Sequence, residues 1–189
     1  MSWITHTNYL LRCLHLLEAD INDQVGPDIN AVFNNLRDKT NRVKESGGTI
    51  YFIGNGASAS MASHFSADIA KNARVKTHVF TDLSLMTAFA NDLSYEDVFS
   101  EPLKQYMSSN DMLVAISSSG ESPNILKAAG VVKEKGADIM TLSAMSPNNS
   151  LRKMGFLNFY LPAETYGMAE TGHSAILHYW VDLLTGDER

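Results

Sequence analysis

The sequence holds a single cysteine, Cys13, in 189 residues. No disulfide within the chain is available, and a reducing, cytoplasmic setting is expected. Nowhere do apolar residues run on for the ~18 positions that mark a membrane span. The opening stretch, MSWITHTNYLLRCLHLLEAD, interrupts its apolar positions with charge, unlike the unbroken core of a secretory leader. Positive charge is in short supply too: 15 Lys and Arg face 21 Asp and Glu, a formal net charge of −6. That balance argues against nucleic acid as a partner. Proline is sparse at 5 residues, and the 44% hydrophobic content belongs to a folding chain, not a disordered one. No repeat, low-complexity tract or linker divides it. One domain over residues 1–189 is expected, with N-terminal helices at 1–47 and an α/β core at 48–189.

Within the first part, Trp3, Leu10, Leu11, Leu14, Leu17 and Ile21 recur at helical spacing and predict a helix over 3–23. A second helical pattern follows Pro27 through Ile29, Val32, Phe33, Leu36 and Val43, and stops at Gly47-Gly48. Two such helices can cover a sheet or serve a subunit interface. From residue 49 the pattern changes. TIYFIG (49–54), KTHVFT (76–81), DMLVAIS (111–117), DIMTLS (138–143) and FLNFYLP (156–162) read as five strands. Helical patterns at 58–72, 96–107, 122–135 and 167–184 separate them. This alternation predicts a mainly parallel five-stranded sheet flanked by helices.

Ligands of such sheets bind beyond the carboxyl ends of the strands. Two strand-to-helix loops stand there: Gly54-Asn55-Gly56-Ala57-Ser58-Ala59-Ser60 and Ser117-Ser118-Ser119-Gly120-Glu121-Ser122-Pro123. Small residues let backbone amides approach an anion, hydroxyls add donors, and each helix start adds positive potential. A serine at such a place can also be a plain helix cap. Two loops of this kind on one sheet edge favour an anion, and the lack of lysine suits a phosphate monoester held by neutral donors. Residues 54–59 also fit the dinucleotide pattern G-x-G-x-x-A. Asp82 then lies 28 positions after Gly54, late against the usual ~20, and the serine loop has no place in that scheme.

Two helices carry further polar residues. His64 and Asp68 are four apart and share a helix face, either as a solvated pair or as half of a metal or acid–base site. On the last helix, Glu170 is about 80° from His178 and about 60° from His173, while the two histidines diverge by about 140°. Only one histidine can share a site with Glu170 comfortably, and periodicity does not choose. Asn91-Asp92 closes a short helical pattern, as a site element or a turn signal.

Taken together, GNGASAS, HFSAD, LMTAFANDLSYEDVF, LVAISSSGESPNILKAA, KGADIMTLS and ETGHSAILHYWVDLL resemble the sugar isomerase (SIS) domain. Within it the resemblance is to the sedoheptulose-7-phosphate isomerase, or phosphoheptose isomerase, branch, over nearly the whole chain. It implies a cytoplasmic homotetramer with sites between subunits and one zinc ion per subunit. The implied reaction is an aldose–ketose isomerisation of a phosphorylated sugar through an enediol. Ser117, Ser118, Ser119 and Ser122 would hold the phosphate. Asn55, Gly56, Ala57 and Ser58 would line the sugar, with Asn91 and Asp92 closing the site. Asp68 and Glu170 would also face the substrate, and the metal ligands would be His64, Asp68, Glu170 and His178. Asp68 would be the catalytic base and His178 the catalytic acid; His173 matches a family histidine that is not a ligand.

Two positions depart from the branch, which usually has glutamate where this chain has Asp68 and glutamine where it has Glu170. Aspartate is one methylene shorter, and displacements near 1 Å can cost on the order of 100-fold in rate. The extra carboxylate at Glu170 should strengthen metal binding. A rival reading is a non-catalytic SIS regulator that binds a protein such as a replication initiator. A dinucleotide oxidoreductase rests on the glycine motif alone. A phosphosugar etherase or deaminase would need long additions that are missing here.

Overall fold

The computed structural model describes residues 2–186 apart from 23, 26 and 27. Helix α1 (Trp3–His15) starts at Ser2, whose hydroxyl accepts from the Thr5 N–H at 3.1 Å. It is shorter than the expected 3–23. After Leu16 the chain turns into strand β1 (Glu18–Ile21), followed by β2 (Gln24–Val25). The helical spacing of Leu17 and Ile21 is real, but the sheet places them instead: β1 pairs antiparallel with the strand at 157–161 and buries Ala19. Four residues are too few to show a strand's alternation.

Helix α2 (Ile29–Glu45) is capped by Asp28; Pro27, the expected break upstream, lies outside the described residues. Next come β3 (Thr49–Gly54), α3 (Ala57–Asp68) with a π-helical turn at 69–73, and β4 (Lys76–Val79). Helix α4 (Leu83–Asp92), a 3₁₀ turn at 95–97 and α5 (Ser100–Tyr106) lead to β5 (Met112–Ile116). The chain ends through α6 (Pro123–Glu134), β6 (Asp138–Ala144), β7 (Leu157–Leu161) and α7 (Tyr166–Thr185).

The strands form one sheet in the order β2-β1-β7-β6-β5-β3-β4. The five expected strands are all present and mutually parallel; β1 and β2 add an antiparallel margin that was not expected. On one face Val32, Phe33, Leu36, Phe65 and Trp180 from α2, α3 and α7 pack against Phe52, Leu142 and Phe159. On the other, Leu103, Ile125 and Val132 from α5 and α6 pack against Ile53, Leu113 and Ile139. Burial on both faces explains why these strands read as continuous apolar runs. A polar pin joins two of the helices, the Trp180 Nε1–H donating to Thr40 Oγ1 at 3.2 Å.

From β3 the chain crosses to β4 on one side, whereas β5 lies on the other. The order reverses between β3 and β5, and the loops after these two strands diverge to leave a crevice.

Candidate functional site

Both loops singled out from the sequence open onto that crevice. Asn55, Ser58, Ser117, Ser118, Ser119, Ser122, Tyr166 and Glu170 line a cavity of about 160 Å³. Gly56 makes the first turn possible, with φ of +56° just ahead of α3. In the second loop Gly120 takes φ of +66°, and its N–H donates to Ser117 Oγ at 3.2 Å. Ser117 Oγ also lies 3.3 Å from Ser122 Oγ. The loop is anchored to β6 on both sides: the Ser117 N–H donates to the Leu142 carbonyl, and the Ala144 N–H to the Ser118 carbonyl. Neither Gly56 nor Ser122 forms a side-chain cap bond to its helix, and Asn55, Ser58 and Ser122 bring the starts of α3 and α6 to the crevice, each with its positive helix end. The nearby Glu121 carboxylate turns away, accepting from the Ser150 N–H at 2.7 Å and its hydroxyl at 2.9 Å.

A second group lies further along the same pair of helices. His64, Asp68 and His178 bring one ligand atom each within 4.8 Å of one another. His64 Nε2 is 3.3 Å from Asp68 Oδ2, and the His64 and His178 rings stand 5.6 Å apart over Phe65. Two imidazoles and one carboxylate with an open side suit zinc held by three protein ligands. Glu170 is not in this group. It stands eight residues before His178, about 12 Å of helix rise away, and lines the serine cavity instead. The structure therefore sorts the four expected metal ligands into three together and one apart.

Residues 19–144 match the SIS domain. The chain belongs to the SIS-domain family. Among curated relatives of this SIS protein, the phosphoheptose isomerase of Coxiella burnetii is 33% identical over 143 residues, 71% of this chain and 72% of that one. The phosphoheptose isomerase structures from Francisella tularensis and Neisseria gonorrhoeae superpose with TM-scores of 0.83 and 0.81, at 18% and 22% identity. They cover 98% and 96% of this SIS chain, and 100% and 96% of their own. The curated relatives place this chain with the phosphoheptose isomerases.

The other expected residues fall as follows. Gly56 and Ala57 begin α3 between Asn55 and Ser58, and neither is among the residues that line the cavity. Asn91 and Asp92 end α4, exposed and hydrogen-bonded to each other at 2.8 Å, and do not line the serine cavity. Asp82, the residue a dinucleotide reading needs, is occupied as the cap of α4, accepting from the Leu85 N–H at 2.8 Å. His173 is fully buried, its Nε2 3.1 Å from the Ser143 carbonyl, so it serves packing between α7 and β6. Three residues escaped the sequence reading. Tyr166 lines the cavity, Asn124 bonds to Asn55 from the first turn of α6, and Tyr95 reaches Asn55 from the 3₁₀ turn. Only Asn124 gave a signal, as an amide beside a serine loop at a helix start.

Proposed function

We propose that this protein interconverts an aldose and a ketose bearing a phosphate, with sedoheptulose 7-phosphate and D-glycero-D-manno-heptose 7-phosphate as the pair. One observation carries the reading: a lysine-free serine pocket at the switch point shares α3 and α7 with a carboxylate–imidazole group. The pocket suits a phosphate monoester, with hydroxyls as neutral donors beside the positive ends of two helices. The group beyond it suits proton transfer between adjacent carbons.

In the ketose-to-aldose direction, Asp68 takes a proton from carbon 1 while His178 gives one to the carbonyl oxygen on carbon 2, leaving an enediol. Return of a proton to carbon 2 and loss of the oxygen-1 proton to His178 yields the aldehyde and restores both groups. His64 donates toward Asp68 and orients its carboxylate. His64, Asp68 and His178 would hold zinc, which would supply polarisation of the carbonyl when bound. Glu170 is assigned to the sugar hydroxyls, for which its carboxylate is an acceptor.

Assembly as a cytoplasmic homotetramer belongs to the same reading. It is supported by apolar side chains left in water: Trp3 and Ile4 on α1 are 75% and 67% exposed, and Leu83 on α4 is 75% exposed. His64, with 56% of its side chain exposed, is open to completion by a neighbouring subunit. Among the described residues no helix is long and apolar enough to cross a membrane.

The deciding experiment follows sedoheptulose 7-phosphate by NMR with purified protein, with chelator and with added zinc. Aldose that forms with zinc and vanishes with chelator supports both the reaction and the metal. Aldose formed regardless of chelator removes the metal from the chemistry. No product under any condition overturns the reading and favours a sensor of phosphorylated sugars.

A further inference from the structure

Asn124 occupies the first turn of α6 and is 2% exposed. Its Oδ1 accepts from the Ile125 N–H at 3.0 Å, a donor shared with the Ser122 carbonyl, and an NH₂ at that place would face another N–H, so oxygen is assigned to this end of the amide. Its Nδ2 therefore donates, and does so to Asn55 Oδ1 at 2.9 Å. Asn55 returns the bond, Nδ2 to Asn124 Oδ1, also at 2.9 Å. A third donor completes the set, the Tyr95 hydroxyl on Asn55 Oδ1 at 3.1 Å.

An amide oxygen has two lone pairs and an amide nitrogen two N–H groups. At Asn55 both lone pairs are taken, by Asn124 and Tyr95, and one N–H is taken by Asn124. A single N–H is left for the cavity that Asn55 lines with Ser117, Ser119 and Ser122. Turning the Asn55 amide over would set its NH₂ against the NH₂ of Asn124 and lose both reciprocal bonds. An unpaired amide at a cavity wall has no such restriction and can offer either end.

We propose that Asn124 is a positioning residue that locks Asn55 as a hydrogen-bond donor, so that this point of the pocket selects an acceptor oxygen on the bound sugar phosphate. The inference rests on the serine cavity being the sugar-phosphate site. The reciprocal pair also ties the loop after β3 to the helix after β5, across the crevice at the switch point. Asn124 thereby acts on the ligand only through Asn55.

A double-mutant cycle tests this with Asn55→Ala, Asn124→Ala and the double variant, reading calorimetric affinity for sedoheptulose 7-phosphate alongside KM and kcat. Loss of one hydrogen bond to a charged ligand predicts an affinity drop of about tenfold for Asn55→Ala. Asn124→Ala should weaken affinity by a smaller factor, raise KM in step and leave kcat within about twofold. The double variant should match Asn55→Ala alone, because the second change removes nothing further. Affinity losses that multiply in the double variant, or unchanged affinity in Asn124→Ala, overturn the proposal. Should Asn124→Ala fail to fold, Asn124→Ser keeps an acceptor for the Ile125 N–H, is too short to reach Asn55, and carries the same expectations. Wild-type protein that binds without turnover overturns the isomerase reading while the cycle still judges Asn124; wild-type protein that does not bind overturns both.

Discussion

At His173 the imidazole is wholly enclosed, with Nε2 on the Ser143 carbonyl and Nδ1 without a partner. Burial disfavours the charged ring and lowers its pKa from 6.5 to about 4, against the smaller opposing effect of the Ser143 bond. The folded protein keeps the ring neutral, whereas the unfolded chain takes up a proton once the pH falls below 6.5. The stability linked to His173 is therefore complete above 6.5 and lost as the pH falls toward 4, by about 1.4 kcal/mol per pH unit within that window. Urea unfolding from pH 7.5 to 4.5 should show this slope, and His173→Gln should flatten it. At the His64–Asp68–His178 group, the proposed chemistry predicts that Asp68→Asn abolishes turnover with Tm nearly unchanged; turnover within about twofold of wild type would remove Asp68 as the base. Glu170→Gln separates pocket from metal. A residue facing the sugar changes KM and leaves zinc affinity alone, whereas a ligand loses on the order of tenfold in zinc affinity or more. The sequence made His64, Asp68 and His178 legible, the first two through helix spacing and the third through family resemblance. It could not show that Glu170 stands apart, because eight residues on one helix look close in angle while lying far apart along the axis.

Among the elements, the junction of β3 and α3 is closely packed. A Cβ on Gly54 would lie 2.6 Å from the carbonyl carbon of Ser58 and 2.7 Å from its oxygen, both backbone atoms. Neither can yield without moving the start of α3, so Gly54→Ala should cost about 2 kcal/mol. A fall in Tm of about 5 °C is expected, with weakened sugar-phosphate binding measured on the folded fraction. Four of the five parallel strands, β3, β5, β6 and β7, were readable because each is buried on both faces and bounded by turns, and the edge strand β4 through its β-branched and aromatic run. Strand β1 was hidden for the opposite reason. Its charged residues Glu18 and Asp20 look like solvated helix positions, and their purpose appears only when Arg152, 132 residues away, reaches Asp20 at 3.3 Å and Glu18 at 2.8 Å. No local pattern encodes a partner at that separation.

For the whole molecule, the reversal of strand order fixes where the crevice lies, and alternation of strands and helices in the sequence already implied such an edge. Which surfaces remain uncovered was not readable, since the apolar stripe of α1 looked fit to pack on the chain's own sheet. In the fold Cys13 is its one buried residue, and Trp3, Ile4 and Leu11 face outward. Light scattering on the eluting protein should give four times the 20.8 kDa chain mass. Replacing Trp3 and Leu11 together by serine should shift that mass downward; a wild-type mass of one chain would remove the assembly.

Strand β1 also has a consequence for how a ribosome delivers this protein. Cys13 donates its thiol hydrogen to the carbonyl of Pro162, and β1 pairs with β7, so this segment binds one translated much later. The gap is 149 residues, which at typical elongation rates of 5–20 residues per second leaves this segment waiting on the order of 10 s. Throughout that interval the Cys13 side of α1 and the β7-facing edge of β1 stand without their native cover. A nascent-chain chaperone would have that long to hold this segment before its partner strand arrives.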